Sequence, residues 1–324
     1  MMNRRRILAA GAACAASRVL PARAQALPYP TRPVRLVVGY APGGSTDIVA
    51  RIVTPGLAER LGQSFIVENR PGAGTNIATE NVVKAAPDGY TLLTIGVSST
   101  INATLYDKLN FVFLRDIAPV ASVVRQTQVV LAHPSVPVAT IPELIAYAKA
   151  NPGKLTMASS GVGSFGHLAG ELLKMMAGID LVHVPYRGAG PALTDLLGGQ
   201  VQTSVIGLAS ALDQVRSGKL RALAVTAATR SDVLPDVPTV GESVPGYEAS
   251  DWFGVGAPSH TQPAIVARLN GEIAAVLADA SVVARFASLG GTPLVLTPSG
   301  FGKLLADETE KWGKVVRAAN IRPG

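Results

Sequence analysis

Val34-Arg35-Leu36-Val37-Val38-Gly39-Tyr40-Ala41-Pro42-Gly43-Gly44-Ser45-Thr46-Asp47 is the stretch that decides the architecture. Its first half is a short apolar run, the pattern of a buried strand. Pro42 to Thr46 is turn chemistry. Ile48, Ile52, Val53 and Leu57 then recur at helical spacing to about Leu61, and Pro55 should kink that helix. Further strands are predicted near 64–67 and 91–95, with a helix near 77–84 between them. Strands alternating with helices predict mostly parallel sheets flanked by helices, an α/β fold.

A second series begins near Gln126. Strands are predicted over 127–132, 155–158, 181–184, 201–205 and 220–226. Helices are predicted over 141–150, 164–176, 191–197 and 209–216. From about Arg230 the chain returns to finish the first unit with helices near 264–278, 282–289 and 299–319. The sequence therefore predicts lobe 1 from residues 27–125 and 230–324, and lobe 2 from 126–229. Paired crossings near 124–128 and 226–232 suit a clamshell with a cleft between its lobes.

Two loops carry the chemistry. The first is Tyr40 to Asp47. The second is Ser159-Ser160-Gly161-Val162-Gly163-Ser164-Phe165-Gly166-His167. Each follows a strand and opens a helix. The first turn of a helix has N–H groups without helical partners, and its dipole adds partial positive charge. Glycines permit close approach and hydroxyls add donors, so such a loop holds an anion without a charged side chain. Ser45, Thr46, Asp47 and Ser164 also suit plain helix caps. Facing each other, the two loops could hold both ends of a dicarboxylate. Gly161, Gly163 and Gly166 also form a G-x-G-x-x-G, with Asp180 beyond it, the outline of a dinucleotide site. Asp180 precedes the next strand instead of ending it, which weighs against that enzyme reading.

Other chemistry is missing. There is no G-x-S-x-G, no H-E-x-x-H and no Walker lysine. The four histidines, His133, His167, His183 and His260, are scattered. His167 follows the second loop and is a candidate ligand contact; His183 reads as a core residue. Trp252 and Phe253 could wall a cleft or pack in a core. No cofactor, metal site or catalytic residue is expected.

The formal charge is +7, yet Arg4, Arg5, Arg6, Arg18 and Arg23 fall in the first 24 residues, and without those five arginines +2 remains. That balance calls for no nucleic-acid partner. Residues 1–24 read as a cleaved export signal. Paired arginines precede an apolar stretch, and Ala22-Arg23-Ala24 fits a cleavage site. The one cysteine, Cys14, lies within it, so the mature chain would have none.

Several stretches together resemble the Bug family, the periplasmic solute receptors of tripartite tricarboxylate transporters. They are Pro42 to Arg51, Val67-Glu68-Asn69-Arg70-Pro71-Gly72-Ala73-Gly74, Pro87-Asp88-Gly89-Tyr90-Thr91, Ala158 to Leu172, Val184-Pro185-Tyr186-Arg187-Gly188, Asp195 to Val201, Leu234 to Val240 and Trp252-Phe253-Gly254. The resemblance implies a two-lobed periplasmic-binding-protein fold and no enzymatic activity. It implies a ligand carboxylate gripped by Gly43, Gly44, Ser45, Thr46 and Asp47 from one lobe and by Ser160, Gly163 and Ser164 from the other. Ser98, Ser99, Tyr186 and Gly188 are further wall candidates. Tyr40, where family members often carry phenylalanine, could add a hydroxyl contact. The expected protein is a periplasmic monomer that passes a small organic carboxylate to membrane transporter subunits. A sensor kinase is the alternative partner.

Overall fold

The computed structural model describes residues 29–318 and 320–323. The expected export signal, residues 1–24, and Cys14 lie outside them.

The chain opens with β1 (Val34–Val38), α1 (Ser45–Leu61), β2 (Phe65–Asn69), α2 (Asn76–Val83), β3 (Thr91–Gly96), α3 (Val97–Leu105), α4 (Phe113–Asp116) and β4 (Ile117–Gln126). It crosses at Thr127 into β5 (Gln128–Ala132), α5 (Ile141–Ala150), β6 (Thr156–Ser159), α6 (Phe165–Ala177), β7 (Val182–Pro185), α7 (Ala189–Leu197), β8 (Thr203–Gly207), α8 (Leu208–Arg216) and β9 (Arg221–Val225). It ends with β10 (Asp251–Pro258), α9 (Pro263–Leu277), α10 (Ala280–Ala287), β11 (Gly291–Pro293) and α11 (Pro298–Ala318).

These strands build two sheets. One has six strands in the order β11-β4-β10-β3-β1-β2, the other five in the order β7-β6-β8-β5-β9. β1 pairs in parallel with β2 and β3, and β6 with β7 and β8. Three strands run against their neighbours, β5, β10 and the edge strand β11, and the first two do so for one reason. β5 has just crossed from the first lobe, and β10 has just returned from the second. A strand that enters from the other lobe starts at the cleft and runs away from it. The strands that feed the cleft loops run towards it, which puts their C-terminal ends where open α/β sheets bind ligands.

The helix α1 runs across Pro55 to Leu61. Val49, Val53, Leu57 and Leu61 are buried along it while Pro55 is exposed, so packing on one face holds the helix through the missing N–H. The sequence also places the second crossing near 226–232. Instead, the chain after β9 stays bonded to the smaller lobe. Thr239 bridges Val225, Ala249 N–H donates to the Thr226 carbonyl, and the Tyr247 hydroxyl donates to the Ala169 carbonyl at 2.9 Å. The six-stranded sheet regains the chain at Asp251.

The buried apolar side chains form three clusters, one of which spans both lobes. Leu36, Val37, Leu93 and Ile95 fill the larger sheet; Val129, Leu131 and Ala132 fill the smaller. From α11, Trp312 packs edge-on against Phe165 of α6, with ring centroids 5.3 Å apart, and so joins the lobes from the side.

Candidate functional site

The cleft ends of both sheets enclose a cavity of ≈ 40 Å³. Six helices begin at its wall, three from each lobe. From lobe 1, Gly44, Ser45 and Thr46 open α1, Thr75 precedes α2, and Gly96, Val97, Ser98 and Ser99 open α3. From lobe 2, Ser164, Phe165 and Gly166 open α6, Ala189 opens α7, and Gly207 precedes α8.

The caps of these helices are the informative detail. No side chain caps α1, α2, α3, α7 or α8, and four of those five have glycine at the cap position. On the outer surface, Thr140 caps α5 and Asp279 caps α10. Five of the six helix ends at this cavity thus lack a side-chain cap; the sixth, α6, is capped by Ser164, and away from the cavity α9 lacks a cap as well. Open amides and aligned dipoles make the wall positive without any Lys, Arg or His among its residues.

The first loop is held rigid from behind. The Asp47 carboxylate accepts from Gly43 N–H (3.1 Å), Arg51 Nε (3.0 Å) and Asn69 Nδ2 (3.0 Å). Asn69 Nδ2 also donates to the Tyr40 carbonyl. Burial opposes ionisation of Asp47, but the bonds from Arg51, Gly43 and Asn69 outweigh it and hold its carboxyl below the usual range. Asp47 therefore braces the loop and stays out of the cavity wall. Gly43 is also outside the wall: it is exposed, at φ +85°, with its N–H turned to Asp47.

The lobes touch around the cavity. Ser45 Oγ and Ser210 Oγ lie 3.0 Å apart, and Ala41 N–H donates to the Arg187 carbonyl at 3.1 Å. Phe165 N–H donates to Ser98 Oγ at 3.3 Å, and the Tyr40 hydroxyl donates to the same oxygen at 2.7 Å. Burial raises the Tyr40 phenol, which stays protonated and a donor.

Of the residues expected at the site, Tyr40, Gly44, Ser45, Thr46, Ser98, Ser99, Ser160 and Ser164 line the cavity. Ser164 also caps α6 by accepting from His167 N–H at 3.2 Å. Gly163 sits behind the wall at φ +77°, against Asn102 and Leu105 of the other lobe. Gly188, at φ +141°, faces Ala41 across the lobe contact. Tyr186 lines an adjoining, more open chamber of ≈ 530 Å³, which shares Tyr40, Thr75 and Ser160 with the cavity, and its hydroxyl donates to Asp195 at 2.7 Å.

His167 does not reach the cavity. Its Nδ1 accepts from Gly163 N–H, and its ring stacks on His183 at 3.8 Å. Burial lowers His167 to about 4 and, with His167 beside it, His183 to about 3, so both are neutral at ordinary pH. The third glycine of the G-x-G-x-x-G, Gly166, packs against the Val205 carbonyl of β8. Asp180 is exposed before β7, at the far end of the sheet from this loop.

Sequence reasoning missed Thr75, Thr94, Gln128, Gly207 and Asp251. A strand–glycine–helix pattern at Gly96 and Gly207 was the available signal for two of the missed helix starts. Phe253 lines the cavity, while Trp252 packs on Phe301 in the core. Asp251 is buried, with Oδ1 accepting from Trp252 N–H and Oδ2 from Gln128 Nε2. Among the described residues no acidic, histidine or cysteine cluster could hold a metal, and no helix is long and apolar enough to cross a membrane.

Comparison with known proteins gives one consistent result. The family model described as the tripartite tricarboxylate transporter family receptor matches residues 49–321. Protein BugT of Bordetella pertussis is 39% identical over 324 residues, 99% of each chain. The solved structure of Rpa4515 of R. palustris with adipate is 37% identical, with a TM-score of 0.89 over 91% of this chain and 100% of its own. MatC (Rpa3494) from Rhodopseudomonas palustris with bound malate is 34% identical, with a TM-score of 0.84 over 89% of this chain and 100% of its own. These proteins are binding receptors, not enzymes. By sequence over most of its length and by fold over both lobes, the chain belongs to the tripartite tricarboxylate transporter receptor family, the Bug solute-binding proteins.

Proposed function

We propose that this chain captures a small carboxylate in the cavity between its lobes and delivers it to the membrane subunits of a tripartite transporter. The observation that carries the reading is the set of five uncapped helix starts at one wall that holds no Lys, Arg or His. A carboxylate accepts from several N–H groups at once, and charge-assisted bonds of this kind are stronger than neutral ones. The grip needs no arginine, which suits a receptor that must also release its cargo. Relatives of this chain have been solved with adipate and with malate, both carboxylates. The export signal read in residues 1–24 would place the protein in the periplasm, where such a receptor meets its ligand.

The test is a thermal-shift screen against small carboxylates, on protein unfolded and refolded to shed carried ligand. A ligand at a hundredfold its dissociation constant adds about 2.7 kcal/mol, which such a screen detects. Stabilisation by a subset of carboxylates supports the proposal. Stabilisation by uncharged sugars or nucleotides and by no carboxylate removes it.

A further inference from the structure

A carboxylate grip leaves part of this cavity unused. Gln128 opens β5 directly after the first crossing, and Asp251 opens β10 directly after the second. Both line the cavity, at 7% and 3% exposure. Gln128 Nε2 donates to Asp251 Oδ2 at 3.0 Å, and Trp252 N–H donates to Oδ1 at 2.9 Å. A carboxylate only accepts, so the Gln128 amide must turn its NH2 towards Asp251. Its carbonyl oxygen, Oε1, is then buried without a partner among the described residues.

Two features therefore oppose a plain anion. One is an acid in a wall otherwise suited to negative charge, with no Lys or Arg in that wall to neutralise it. The other is an unpaired acceptor, which costs stability until something donates to it. A single kind of ligand resolves both. We infer that the ligand carries, besides its carboxylate, a hydrogen-bond donor, a hydroxyl or an ammonium group, that the Asp251 carboxylate and the Gln128 carbonyl oxygen receive. This rests on the carboxylate reading above and narrows it to hydroxy or amino acids. A site built to receive a donor rejects the analogue that lacks one more sharply than it separates ligands by size, because the loss leaves buried acceptors unpaired.

Titration calorimetry on the refolded protein tests this with matched sets that differ in one group: propionate, lactate and alanine; succinate, malate and aspartate; glutarate, 2-hydroxyglutarate and glutamate. Within the set that binds, the hydroxyl or amino member should bind at least about tenfold more tightly than the plain acid, as expected for a hydrogen bond to a charged group. The larger gain tells hydroxyl from ammonium. Asp251→Ala should erase most of that preference while the plain acid binds at least as tightly as before, because the opposing charge is gone. Gln128→Met, which removes the open acceptor and keeps the acid, should reduce the preference as well and serves if Asp251→Ala does not fold. Plain acids binding as tightly as their hydroxy and amino partners overturn the inference and leave the carboxylate reading standing. A preference undiminished in the folded variants also overturns it. No binding by any member of any set overturns the carboxylate reading, and this inference with it.

Discussion

Asp251 pays for its place in the cavity wall with stability. Burial raises its carboxyl to about 7, against the bonds from Gln128 and Trp252 that favour the ionised form. An unfolded aspartate titrates near 3.9, so between about pH 4 and pH 7 the folded protein holds a proton that the unfolded chain has lost. Stability of the empty protein therefore falls as pH rises through that window, and the penalty stays in full above it. Asp251→Asn removes this titration. The empty variant should exceed the parent in stability by roughly 1–3 kcal/mol at about pH 8, with the gap closing towards about pH 4, read from denaturant midpoints. A gap of equal size at both values would show that Asp251 is not the titrating group. Gln128 and Asp251 were illegible in the sequence because each is a polar residue at the start of a strand, and only the paired crossings turn both towards one cavity. Tyr186 and His167 were named as candidates for the opposite reason. Their neighbours in sequence line the cleft, but Asp195 and His183 hold the two side chains elsewhere.

At the scale of elements, the helix starts decide function because they are left incomplete. The φ −81° and ψ 165° of Gly44 are open to any residue, and a Cβ there would meet Ala189 at an ordinary 3.6 Å. Gly44→Asp should therefore place a capping carboxylate on the amides of α1, adding roughly 0.3 kcal/mol to stability. The same carboxylate would occupy the anion's place, so carboxylate binding should be lost. Calorimetry paired with thermal unfolding checks both halves, and retained binding in a stabilised variant would contradict the role given to α1. Most elements were legible, since apolar runs and helical spacing survive in α5, α6, α9 and α11 with boundaries a residue or so from those observed. The direction of β5 and β10 was not, because it depends on which lobe the chain has just left. The position of the second crossing was hidden by residues 226–250, whose Pro- and Gly-punctuated run reads as a link and packs as part of lobe 2.

At the scale of the molecule, two lobes meet around a small cavity and are joined at Thr127 and ahead of Asp251. Ser45 and Ser210 approach to 3.0 Å across the cleft, and no cysteine occurs among the described residues to interfere with a designed pair. Ser45→Cys with Ser210→Cys should form a disulfide that fixes the closed arrangement. Ligand bound before oxidation should then exchange slowly, and reduction should restore fast release; equal exchange in both states would mean that the cleft need not open there. The central claim remains that oriented amides, at a wall without Lys, Arg or His, recognise the ligand's negative charge. The most direct measurement compares, by calorimetry on refolded protein, each binding carboxylate with its primary amide, which is nearly the same size and shape but neutral. The account predicts that the carboxylate binds and that the amide binds at least about a hundredfold more weakly, since several charge-assisted bonds are lost together. Equal affinity for acid and amide would contradict it.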